Sequence, residues 1–241
     1  MASSGSARES IDDVMGDVRG VLLDLDGTLL DHRGAADRAA FEWAKGIGVE
    51  VEGDPAGHWR DLEARFFPLF EGGGCSFQEQ RRLRVRGFAR ELAHFSDAEA
   101  DAVFERYLAL YRENWRACPG AAELIDRALA ACRVGVLTNG EEAQQWNKLD
   151  AIELRRPGPQ MFASSTLGHA KPEARAFELA CGRLGTPNAA TVMVGDDYEK
   201  DVLAARAAGL RAIHVSPHPD RSHDEAVTSL REAAEVLFGP T

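Results

Sequence analysis

Cysteine is scarce in this chain: four residues, Cys75, Cys118, Cys132 and Cys181, scattered over a length of 241. None forms a Cys-x-x-Cys pair or a Cys/His spacing suited to zinc, so they read as reduced thiols and not as a disulfide scaffold or structural metal site. No run of about 18 apolar residues occurs, so no membrane span is expected. The start, Met1 to Ser10, has no apolar stretch of the signal-peptide kind, and residues 1 to 17 are expected to be a mobile polar tail. Positive charge is also short: 28 Lys and Arg stand against 39 Asp and Glu, a formal net charge of −11. Such a surface repels nucleic-acid phosphates and anionic membranes, and most of the counterion release that drives DNA binding is missing. The expectation is a cytoplasmic protein with no nucleic-acid or membrane partner. Small anionic substrates stay open, because a metal ion and a lysine reverse the field locally.

What is present is a 44% hydrophobic chain, enough for a sizeable core in one large domain or one domain with an insert. Its most informative feature is Asp24-Leu25-Asp26-Gly27-Thr28 at the end of the apolar run Val21-Leu22-Leu23. Two carboxylates there are costly to bury unless a cation, hydrogen bonds or a proton compensates. Gly27 permits a sharp turn and leaves amide N–H groups open to a ligand. Apolar strand, acids at its carboxyl end and a glycine turn suggest an anion-and-metal site at the edge of an α/β sheet. The arrangement recurs: Val134-Gly135-Val136-Leu137 runs into Thr138-Asn139-Gly140, and Thr191 to Gly195 runs into Asp196-Asp197 with Asp201 close behind. Lys171-Pro172 lies between them.

The rhythm of the chain divides it. Arg19 to Asp24 reads as a buried strand. Residues 36 to 117 then carry helical patterns: Ala36 to Ile47, Pro55 to Phe70, Phe77 to His94 and Asp97 to Trp115. Ser96 is placed to cap the last of these, with Glu99 closing the capping box. After Cys118-Pro119-Gly120, helices and strands alternate: Ala121 to Ala131, Arg133 to Leu137, Glu141 to Leu149, Met161 to Ser164, Glu173 to Leu184, Thr191 to Gly195, Asp201 to Ala208, Arg211 to Val215, and Glu225 to Phe238. That alternation predicts an α/β fold, a Rossmann-like parallel sheet core with helices on both faces. The all-helical stretch after the first strand predicts an inserted α-helical cap over the carboxyl edge of the sheet. The boundaries read as core over 18–33 and 118–241, and cap over 34–117.

Four motifs in this order, DxDGT, TN, KP and GDDxxxD, resemble the haloacid dehalogenase-like hydrolase superfamily from about Arg19 to about Val215. The resemblance implies Asp24 as a nucleophile that forms an aspartyl-phosphate, and Asp26 as the general acid/base, two acids that need different environments. It implies magnesium held by Asp24, Asp196 and the backbone carbonyl of Asp26, with Asp197 and Asp201 as direct ligands or holders of a metal-bound water. Gly27, Thr138, Asn139 and Lys171 would bind the phosphoryl group, with Thr138 and Lys171 also counted as catalytic. Asp26 separates branches of the superfamily: dehalogenases expel a halide, which needs no proton, and lack this acid. The reading is thus a magnesium-dependent hydrolase of small phosphorylated metabolites, acting as a monomer or homodimer. A phosphomutase and a non-catalytic phosphometabolite-binding protein are the alternatives.

Other features read more blandly. Arg82, Arg86 and Arg90 share a helical face and are expected to be solvated and paired with acids of the next helix. Asp31 and His32 read as hinge or surface residues, His169 as a loop histidine, and the four Trp as packing.

Overall fold

The computed structural model describes residues 17–51, 53–217 and 226–240. In chain order the elements are β1 (Gly20–Leu23), helices α1 (His32–Ile47), α2 (Pro55–Glu71), α3 (Phe77–Phe88), α4 (Asp97–Glu113) and α5 (Ala121–Ala131), then β2 (Arg133–Thr138), α6 (Glu142–Ala151), β3 (Gln160–Ala163), α7 (Ala174–Leu184), β4 (Thr191–Gly195), β5 (Arg211–Val215), β6 (Ala226–Val227) and α8 (Leu230–Phe238). They form two compact units, His32–Arg116 and the residues on either side of it. The unit begins at His32, before the expected residue 34, because α1 starts there. Of the tail expected over residues 1 to 17, all but Asp17 lies outside the described residues.

The flanking unit is a parallel sheet in the order β3-β2-β1-β4-β5-β6. Strands buried on both faces read as apolar runs, and β1 and β4 are buried throughout. Leu22, Leu137 and Met193 face one layer, where Phe177, Ala180, Cys181 and Leu184 of α7 are at most 1% exposed. Leu23, Val134 and Val136 turn the other way, toward Ile125 of α5 and Leu149 of α6. Each large side chain so buried contributes about 1.5–3 kcal/mol. The strand order reverses between β1 and β4, and ligands of such sheets bind in the crevice outside the carboxyl ends at that switch. Leu23 registers with Val136 on one side and Val194 on the other, so Asp24 emerges at the switch.

Two expectations shift here. The last helix starts at Leu230, not at 225: Ser229 caps it by accepting from the Glu232 N–H, and Ala226–Val227 pair with β5 instead. The helix read as Asp201 to Ala208 opens earlier, as a wide turn over Tyr198–Leu203, before Ala204–Ala207. Wide turns of this kind concentrate at functional sites.

The His32–Arg116 unit packs on aromatic rings. Trp43 lies 4.5 Å from Phe88 and Trp59 lies 4.6 Å from Tyr107, centroid to centroid. Asp54 caps α2, Ser76 caps α3, and Ser96 with Glu99 makes the capping box of α4. The helix expected from Phe77 to His94 stops at Phe88. Ala89 is extended and a short turn, Arg90–Leu92, follows, which buries Leu92. Arg90 therefore does not extend the Arg82–Arg86 face. Arg82 grips both oxygens of Asp101 at 2.7–2.8 Å, and this holds the Asp101 carboxyl down to about 2. Arg86 donates to the Phe95 carbonyl at 2.9 Å and pairs with Asp97.

Arg84 goes inward. It is 4% exposed, lies 4.3 Å over the Trp59 ring and donates to Glu63 at 2.9 Å, while its Nε and one terminal nitrogen are buried without partners. Unpaired buried N–H groups are costly, and Glu63 is exposed enough to be rehydrated once freed. Arg84→Met should therefore change the unfolding free energy by less than about 1 kcal/mol, despite deleting a buried cation. Urea unfolding measures this; a loss of several kcal/mol would show that the ion pair holds the bundle.

Candidate active site

The loop after β1 is set by its leucines. Leu25, Leu29 and Leu30 are fully buried, and the N–H groups of Leu29 and Leu30 donate to the Leu25 carbonyl at 3.0 and 2.8 Å. This tight turn leaves Asp24 and Asp26 at its polar side. Gly27 sits at φ +102°, and a Cβ there would lie 2.2 Å from an Asp196 oxygen. Only glycine admits that approach, so Gly27 brings the β1 loop onto the β4 loop. On β4, Gly195 admits Asp201 in the same way: an added Cβ would meet it at 2.2 Å.

Lys171 is the centre of the arrangement. Its buried ammonium donates to Asp24 at 2.5 Å and to Asp201 at 2.6 Å. The Asn139 side chain braces the Lys171 main chain from both ends: its amide donates to the Lys171 carbonyl and its oxygen accepts from the Lys171 N–H, each at 2.9 Å. Asn139 was expected to supply amide N–H groups to the phosphoryl oxygens; its side chain is committed to this brace, and its carbonyl accepts from Gln145. Thr28 donates to Asp196 at 3.0 Å. Asp197 caps the turn that follows, accepting from the N–H groups of Glu199 and Lys200. Asp201 accepts from the Asp197 N–H at 3.1 Å as well as from Lys171.

Oxygens of Asp24, Asp196 and Asp201 lie within 4.8 Å of one another. Burial pushes Asp24 well above the usual carboxylate range, with Lys171 pulling against it and Asp201 and Asp196 adding to it. Asp196 is pushed up to about 6 by burial and then by Asp201. Burial works to lower Lys171, but Asp24 and Asp201 outweigh it and hold the ammonium above its ordinary value. Three carboxylates against one ammonium leave two negative charges, the complement of one divalent cation. The donors are all hard oxygens, which suits magnesium.

Thr138 ends β2, 2% exposed. Its hydroxyl oxygen accepts from Gln145 at 3.1 Å. Asp26 is gripped through both oxygens by Lys148, at 2.7 and 2.5 Å. Neither Gln145 nor Lys148 was singled out as a site residue. The available signal was their i, i+3 spacing on the same helical face as the apolar Leu149. His169 pairs with Glu173 at 2.7 Å, and His32 meets the Tyr111 hydroxyl at 2.6 Å within the helical unit, where Trp115 also packs edge-on to Tyr111. All four cysteines are free, and burial, then nearby acids, pushes Cys118 up to about 12, which leaves it an inert thiol.

The family described as haloacid dehalogenase-like hydrolase matches residues 18–209. The chain is 32% identical to a phosphoserine phosphatase of Thermus thermophilus, over 90% of this chain and 99% of that one. It is 28% identical to the pyrimidine 5'-nucleotidase YjjG of Escherichia coli, over 74% of this chain and 82% of the relative. Among solved structures, YfnB of Bacillus subtilis, in a form bound to magnesium, superposes with a TM-score of 0.76 at 21% identity, over 91% of this chain and 98% of that one. A likeness at that identity concerns the fold.

Proposed function

This chain belongs to the haloacid dehalogenase-like hydrolase family, and we propose that it is a magnesium-dependent phosphatase of small phosphomonoesters. The observation that carries the reading is the pairing of Lys171 with Asp24 at the mouth of β1, beside two further carboxylates and two residues before Asp26. A halide leaves without a proton, so Asp26 favours an oxygen leaving group. Relatives named as a phosphoserine phosphatase and a nucleotidase support the same class.

In this mechanism Asp24 attacks phosphorus, and its new O–P bond forms as the ester O–P bond breaks. Asp26, whose two oxygens accept from the Lys148 ammonium, takes up a proton as substrate binds and gives it to the departing alkoxide. It then takes one from the water that attacks the aspartyl-phosphate, which releases phosphate and restores the Asp24 carboxylate. Lys171 and the Thr138 hydroxyl offset charge on the transferring oxygens. Magnesium, held by Asp24, Asp196 and the Asp26 carbonyl, would supply positive charge that keeps Asp24 ionised and draws charge from the phosphoryl group. Asp201 holds Lys171, and Asp197 shapes the loop. The His32–Arg116 unit, inserted directly after the Asp24 loop, is read as the cap that selects substrate.

The test is phosphate release from a panel of nucleotides, sugar phosphates, phosphoserine and other small esters, with and without magnesium. Release only with magnesium is the expected result. Transfer of phosphate between positions of a sugar without release would favour a mutase, and magnesium-dependent binding without turnover a sensor.

A further inference from the structure

Helix α6 carries two polar side chains on its buried face. Gln145 is 2% exposed and Lys148 is 3% exposed, one turn apart. A core helix has no need of either. Burying an ammonium against a carboxylate adds little stability, and apolar residues of similar volume serve as well or better. Their partners are the two polar residues that the phosphatase reading requires to be in place. Lys148 donates to both oxygens of Asp26, a residue 122 positions away in the chain. Gln145 donates to the Thr138 hydroxyl at 3.1 Å and to the Asn139 carbonyl at 2.9 Å.

We propose that α6 is a positioning element of the active site: Lys148 fixes the Asp26 side chain, and Gln145 fixes the Thr138 hydroxyl. The claim rests on the phosphatase reading and extends it to two residues outside the four motifs. An aspartate gripped through one oxygen still rotates about its terminal torsion. Gripped through both, it does not. A proton donor must sit within hydrogen-bond reach of the leaving oxygen, and small misplacements of such groups are costly in rate. The Gln145 contact acts by direction. A threonine oxygen that accepts from Gln145 turns its own proton elsewhere, which makes Thr138 a donor at the end of β2. The same amide ties down the Asn139 carbonyl, hence the segment that braces Lys171.

The two residues should fail differently. Lys148→Met disturbs the group that serves the leaving oxygen. Its kcat/KM should fall about 100-fold for an alkyl phosphate, whose alkoxide needs a proton, and less than about tenfold for 4-nitrophenyl phosphate, whose leaving group departs without one. Gln145→Leu disturbs a group that serves the phosphoryl oxygens, so both esters should suffer alike, by about tenfold. Lys148→Gln replaces the first variant if it does not fold. Crystal structures of wild type and Lys148→Met give a readout independent of turnover: the Asp26 side chain should leave its wild-type rotamer in the variant. Equal losses on both esters in Lys148→Met, or an Asp26 side chain unmoved there, overturn the proposal. A wild-type protein that cleaves neither ester overturns the phosphatase reading instead, and the two crystal structures then decide the positioning claim by themselves.

Discussion

Asp24→Asn is expected to remove turnover, by about 10⁵-fold or more, while leaving the fold at least as stable as before. The carboxylate is the nucleophile in the proposed chemistry, and an amide of the same shape cannot form the acyl phosphate. Stability should not follow activity. Asp24 is pushed up by its burial and by Asp201 and Asp196, so its charge is held under repulsion in the metal-free protein. A neutral isostere removes that repulsion, and Lys171 keeps Asp201 as a partner. Thermal melting without magnesium should thus be unchanged or higher, and the rise on adding magnesium should shrink, because one ligand is gone. Turnover within about tenfold of wild type would remove Asp24 from the nucleophile role.

The strand-end acids were legible because their signal is local. An apolar run that stops at an acid places the acid at a sheet edge, and Asp24 and Asp196 both fall there. The order of the motifs then named the candidate site residues. Contacts made across the chain were not legible. Nothing near Asn139 says that its side chain turns back to the main chain of Lys171. Lys148 reads as a solvated helical lysine until the fold brings Asp26 over it. Arg82 and Arg84 stand two positions apart in one run of arginines, yet one faces Asp97 and Asp101 and the other is buried against Trp59. Helical phase separates them, and phase is lost when every second residue is a cation. α3 breaks at Ala89, two residues past Gly87, and the short turn that follows buries Leu92.

Lys171→Met should cost about 3–5 kcal/mol at neutral pH without magnesium, and turnover as well, because it strips from Asp24 and Asp201 the ammonium that pairs with both. Its pH dependence separates this cause from simple misfolding. A carboxyl whose folded value is raised binds a proton in the native state at pH values where the unfolded chain, near 4, has released it. Stability therefore falls as pH rises from about 4 through the folded value, and returns as pH is lowered. Wild type already leans this way, with Asp24 raised and Asp196 at about 6. Without Lys171 the crowding of charge is greater, so the variant should melt much lower than wild type at pH 7.5 and draw close to it near pH 5. Magnesium acts in the same direction from the other side. It balances the carboxylates directly, so it should raise the melting temperature of the variant at pH 7.5 and do little near pH 5, where protons hold the sites. Turnover should stay lost even when magnesium restores the fold, since the cation replaces the charge of Lys171 but not its place at Asp24. A variant that melts like wild type at pH 7.5, or whose melting ignores pH, would mean that Lys171 does not carry the charge balance of the site.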